Sequence, residues 1–100
     1  MRLGTTPKHT FTFPFDTSLI DELKITYAQN KKTVLEKYLS DCDVGTNSVS
    51  VSLTQKETFL FAEGVNVEVQ ARVLTTAGDV LASNIRIVTA ERCLDREVLE

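Results

Sequence analysis

Three observations predict an all-β, immunoglobulin-like antiparallel β-sandwich of six to seven strands with one short helical crossover. Apolar and polar residues alternate with period two, turn residues recur about every ten positions, and neither a repeat nor a low-complexity linker interrupts the 100 residues. The whole chain, 1–100, reads as one sandwich domain. The chain has no Trp, so the Cys and Trp markers of antibody domains are absent and the immunoglobulin likeness is one of architecture only.

The first strand signal is Phe11, Phe13 and Phe15, separated by Thr12 and Pro14, which sets three rings on one face of an extended segment. Pro14 has no N–H to give to a ladder, so this strand lies at a sheet edge or ends there. Residues 23–27 repeat the alternation, and Asn30-Lys31-Lys32 turns the chain into residues 33–38, a hairpin. In residues 48–53 three serines face one way and Val49, Val51 and Leu53 the other, a strand with one wet face. Residues 65–73 alternate over nine positions, enough for a central strand. The turn 76–79, with Gly78 free to take positive φ, leads into residues 80–88 as its partner, where Ile85 and Ile87 face one side and Asn84, Arg86 and Val88 the other.

Two single helical turns are expected. Thr54 and Glu57 have the spacing of a capping box, and the short crossover they open drops Phe59, Leu60 and Phe61 onto the core. Residues 16–20 form a similar turn. The tail 91–100 carries six charges in ten residues, with Leu94, Val98 and Leu99 as an apolar stripe, and reads as a terminal helix, an edge strand or a disordered end. The expected core comprises Phe11, Phe13, Ile25, Tyr27, Val49, Val51, Leu53, Phe59, Phe61, Val67, Val69, Val73, Ile85 and Ile87.

Composition narrows the function classes. A domain of this length buries roughly two thirds of its unfolded surface, enough for a core but not for a core and a roomy substrate cleft. Acidic residues outnumber basic ones by 14 to 11, and Lys31-Lys32 is the only adjacent basic pair, which disfavours nucleic acid as a partner. Apolar runs such as residues 59–62 are far short of the roughly 20 residues that cross a bilayer. Residues 1–7 lack the apolar stretch of a secretory signal, so the chain is expected to be made in the cytoplasm.

No constellation suggests catalysis, a cofactor or a metal. Serines and threonines are many, but no G-x-S-x-G elbow occurs, and His9 reads as a surface strand residue whose charge follows pH. Asp41 and Asp43 flank Cys42 in a loop without the remaining ligands of a calcium loop, and Asp21-Glu22 reads as a charged turn. Cys42 and Cys93 stand outside any CxxC spacing and are expected as free thiols, with Cys42 made unreactive by its acidic neighbours and Cys93 a half-buried packing residue. Tyr27 and Tyr38 are the only candidates for a sugar-stacking platform, and Tyr27 shares a face with Leu23 and Ile25. What remains is surface suited to protein contact: the small-hydroxyl face of Ser48, Ser50 and Ser52 and the polar face of Asn66, Glu68, Gln70 and Arg72. An ordinary solvated sheet face accounts for the same residues.

Four segments carry a resemblance: Leu3-Gly4-Thr5-Thr6-Pro7-Lys8-His9-Thr10-Phe11-Thr12-Phe13-Pro14-Phe15, Ile25-Thr26-Tyr27-Ala28-Gln29-Asn30, Leu53-Thr54-Gln55-Lys56-Glu57-Thr58 and Val69-Gln70-Ala71-Arg72-Val73-Leu74-Thr75. They are similar to a group of small proteins encoded in prophages of gut Firmicutes, which themselves resemble the amino-terminal β-sandwich of phage baseplate proteins. The resemblance implies a non-enzymatic virion or tail-assembly component whose partners are other virion proteins or further copies of itself, located in the virion after synthesis. No functional residue carries over from the group. A glycan- or host-protein-binding module is the alternative.

Overall fold

The computed structural model describes residues 1–100, and the alternating segments become two antiparallel sheets. The three-stranded sheet has the order β1 (Lys8–Thr12), β5 (Ser48–Ser52), β4 (Cys42–Val44). The five-stranded sheet runs β3 (Lys32–Tyr38), β2 (Ile20–Gln29), β6 (Asn66–Thr75), β7 (Val80–Ala82), with β8 (Arg86–Thr89) also paired to β6. The chain is therefore a β-sandwich, with 15 buried apolar residues forming its core.

The period-two pattern predicts which residues enter that core. Val49 and Val51 of β5 and Val67, Val69 and Val73 of β6 are at most 2% exposed, as are Ile25 and Tyr27 of β2. The β2–β3 hairpin closes through Asn30 and Lys31, both at positive φ (50° and 64°), in the geometry that matches strand twist. The Thr54 capping box forms as expected. The Thr54 hydroxyl accepts the Glu57 N–H at 3.1 Å and the Glu57 carboxylate accepts the Thr54 N–H at 2.9 Å, opening the one-turn helix α1 (Gln55–Thr58). A 3₁₀ turn at Thr17–Leu19 is capped by the Asp16 carboxylate.

There are eight strands rather than six to seven. Cys42–Val44, read as loop, pairs with β5 as an edge strand. Residues 80–88, read as one strand, are split. On β7, Arg72 lies opposite Ala82, but on β8 it is Arg86, not Ile85, that lies opposite Val69. One extra residue has entered, a bulge at residues 83–85 where the Ser83 hydroxyl accepts the Ala71 N–H and the Ser83 N–H donates to the Ala71 carbonyl.

That bulge overturns the expected inward phase of Ile85 and Ile87. An unbroken ladder would set them against Val69 and Val67, facing the core. The one-residue shift instead puts Arg86 and Val88 there and turns Ile87 outward beside Glu68, leaving Ile85 and Ile87 55% and 62% exposed. Leu60 is corrected likewise: of the three residues after α1, Phe61 is buried and Phe59 half-buried, while Leu60 is 59% exposed. β1 stops at Thr12, before Pro14, so Phe13 and Phe15 are only half-buried and stack on each other with ring centres 5.3 Å apart.

Both termini fold back onto the body. Leu3, fully buried, donates its N–H to the Glu91 carbonyl, and Glu91 returns its own to Met1. The tail 91–100 is neither helix nor strand. Paired bonds of 2.8 Å between Gln55 and the Leu99 backbone pin it, and Arg96 lies 4.6 Å over the Phe59 ring. The expected apolar stripe does not form, since Leu94 and Leu99 are 88% and 70% exposed.

Candidate interaction surfaces

The two sets of residues expected at an interface lie on opposite sides of the sandwich. Ser48, Ser50 and Ser52 alternate with Val49 and Val51, so they face outward from the three-stranded sheet, where the Ser50 hydroxyl meets that of Thr10 at 2.9 Å. Asn66, Glu68, Gln70 and Arg72 alternate with core residues of β6 and run down the middle of the other outer face. Each set forms a contiguous strip; no single surface contains both.

Beside the β6 strip, pairing registers bring Lys24 next to Arg72 and Tyr38 next to Lys24. Tyr38, 48% exposed, donates its hydroxyl to Glu36 at 2.7 Å, and Lys24 pairs with the same carboxylate at 3.3 Å. The hydrogen bond from Tyr38, then that from Lys24, lowers the carboxyl pKa of Glu36. Lys24, Tyr38 and Arg72 rim a shallow depression of about 500 Å³. Tyr38 is thus an accessible ring within a polar frame, whereas Tyr27 is fully buried and offers no platform.

A feature the sequence reading missed lies where the two sheets part. Beyond the end of β1 an open groove of about 640 Å³ is lined by Phe11, Phe13, Phe15, Leu81, Ile85 and Arg86, among others. Arg86 is its only charged lining residue. The guanidinium sits 4.8 Å over the Phe11 ring and donates to the Thr10 carbonyl at 3.1 Å, but makes no ion pair. β1 and β7 are edge strands, each paired on one side only. The available signal was the Phe-x-Phe-Pro-Phe run: a proline that ends a strand leaves the rings on either side of it without a full ladder to lie on.

The interior holds a polar pair between the sheets. His9, Val51 and Cys42 stand in one row across the three-stranded sheet, on its inner side. His9 is therefore not the surface residue expected from the polar run around it. It is half-buried, and its Nδ1 lies 2.7 Å from the Tyr27 hydroxyl on the facing sheet. Burial lowers the His9 pKa, and the positive charges of Arg86 and the N-terminus lower it further. Burial also pushes the Cys42 thiol up, aided by Asp41 and Asp43 and opposed by Lys37. Both cysteines are free and half-buried, with the Cys93 thiol donating to the Asp95 carbonyl. The acids read as turn residues stay apart: Asp41 accepts the Tyr38 N–H, and Asp43 faces outward beside Ser50. No three His, Cys, Asp or Glu side chains converge as a metal site, and no helix is long and apolar enough to cross a membrane.

The His9 geometry sets a pH dependence. A histidine whose folded pKa lies below its unfolded value of 6.5 contributes stability that is fully present above pH 6.5 and lost as pH falls through the lower, folded value. Melting temperature is accordingly expected to fall on acidification below about pH 6.5. In a His9→Gln variant that fall is smaller before the carboxylates titrate. Parallel melts of the two proteins from pH 7 down check this, and identical profiles would contradict the inward placement.

No protein-family model matches this chain, and neither the curated proteins nor the solved structures contain a match.

Proposed function

We propose that this chain is a structural or assembly protein of a phage or prophage virion, in its tail or baseplate region, and that it works without catalysis through protein contacts on an immunoglobulin-like sandwich. The observation that carries the contact reading is the placement of exposed apolar side chains. Val80, Leu81, Ile85 and Ile87, between 45% and 62% exposed, crowd into eight consecutive residues on one sheet edge. A monomer that only had to stay in solution gains nothing from such a strip, whereas a subunit interface would bury it. The virion assignment rests on the four-segment resemblance to prophage proteins.

Mass spectrometry of particles purified after prophage induction tests the assignment. The chain is expected in fixed stoichiometry with known tail components. Its absence from particles would overturn the virion reading.

One observation favours a second reading, a glycan-binding module: the exposed Tyr38 ring framed by Lys24, Glu36 and Arg72. That reading expects saturable binding on a glycan array that is lost in Tyr38→Ala.

A further inference from the structure

We propose that the groove between β1 and β7 accepts an extended segment of a partner protein, which adds as a strand to β7 and sets a carboxylate against Arg86. This rests on the protein-contact reading above and names the partner's chemistry.

Three features select that occupant. First, β7 is paired on one side only, so alternate backbone groups of Val80–Ala82 face away from β6, and a second backbone satisfies such groups in the ladder pattern of strand addition. Second, residues directly paired across a ladder share a face. Leu81 lies opposite Val73 on the core side, so inward residues of an added strand would join Leu81 above the Phe13–Phe15 pair. Apolar residues at every second position of the partner fit that floor. Third, charge complementarity fixes one polar position. Arg86 is the only charged residue in the groove, no carboxylate of this chain reaches it, and one face of it rests on the Phe11 ring. A guanidinium against an apolar wall makes a strong charge-assisted hydrogen bond with an incoming carboxylate.

The probe is a displayed library of random peptides about ten residues long, a long strand's length, selected on the intact protein. Recovered peptides are expected to alternate apolar residues and to carry one Asp or Glu. Their binding should weaken at least about tenfold in Arg86→Gln, a loss equivalent to about 1.4 kcal/mol. A similar loss is expected in Ile85→Lys, which changes only an exposed rim residue and so keeps the fold. Hydrogen exchange should show protection of the amides of residues 80–82 on binding.

Several results would overturn the proposal. They are recovery of no peptide, peptides that bind both variants undiminished, protection elsewhere on the molecule, or a self-associated form that already fills the groove and is dispersed by Ile85→Lys. The two readings fail separately. A chain present in particles whose groove takes no peptide leaves the virion reading standing, and a peptide-binding chain absent from particles does the reverse.

Discussion

Val49→Asp is expected to leave the chain without a cooperative thermal transition. Val49 is fully buried on β5, the middle strand of its sheet, between Phe11 on β1 and Val44 on β4. Neither neighbour can neutralise or hydrogen-bond a carboxylate. Burying an unpaired charge costs several kcal/mol even when the group takes up a proton, against a total stability of roughly 5–15 kcal/mol for a domain of this size. The contrast is Val69→Asp, equally buried but directly opposite Arg86, whose guanidinium has no carboxylate partner. That variant is expected to be less destabilised than Val49→Asp. Circular dichroism melts of both check the pair. A Val49→Asp protein melting at the wild-type temperature would contradict the placement of β5 in the core.

Tyr27→Ala is the second large effect. The ring is fully buried, packs edge-on to Phe61 at 5.9 Å between centres, and lies 5.6 Å from His9. Removing a buried aromatic side chain costs about 3–5 kcal/mol, through lost contacts and the cavity left behind. Tyr27→Phe keeps the ring and deletes only the hydroxyl that meets His9 Nδ1, so its loss should stay near 1–2 kcal/mol. Each kcal/mol lowers the melting temperature of a 100-residue domain by about 4–8 °C, so thermal melts separate the two variants readily. Equal losses would mean that the hydroxyl, not the ring, dominates at this position.

Much of this fold is legible in the sequence because burial on one side of a strand writes itself as alternation. The serines of β5 and the valines of β6 could be assigned to faces from spacing alone, and the capping box at Thr54 located the one α-helical turn. What was lost follows from two physical causes. Alternation fixes phase only while a ladder is continuous, and Ser83, whose hydroxyl takes over a backbone contact of Ala71, inserts one residue and reverses every side chain after it. Ile85 and Ile87 were thereby read as core when they are surface. The other cause is sequence distance. Leu3 is buried by a terminal segment that docks on Glu91, a contact no local pattern encodes. His9 shares the inward face of β1 with Phe11 two positions on, so its side was legible by alternation, but its partner Tyr27, 18 residues away, was not.

The candidate site divides along the same line. The β6 strip of Asn66, Glu68, Gln70 and Arg72 and the β5 serines were recoverable as outward faces, though not that they point in opposite directions. The groove was not recoverable. It exists because β1 ends at Thr12, ahead of Pro14, while the opposite sheet continues past it, and because the bulge turns Arg86 toward Phe11.

In the proposed assembly role, residues 80–89 form the contact edge. Amide hydrogen exchange of the chain within purified particles, compared with the isolated chain, tests it most directly. Added protection is expected along β7 and β8, with the serine face of β5 exchanging as it does in isolation. Protection confined to residues 48–52, or no change along β7 and β8, would contradict it.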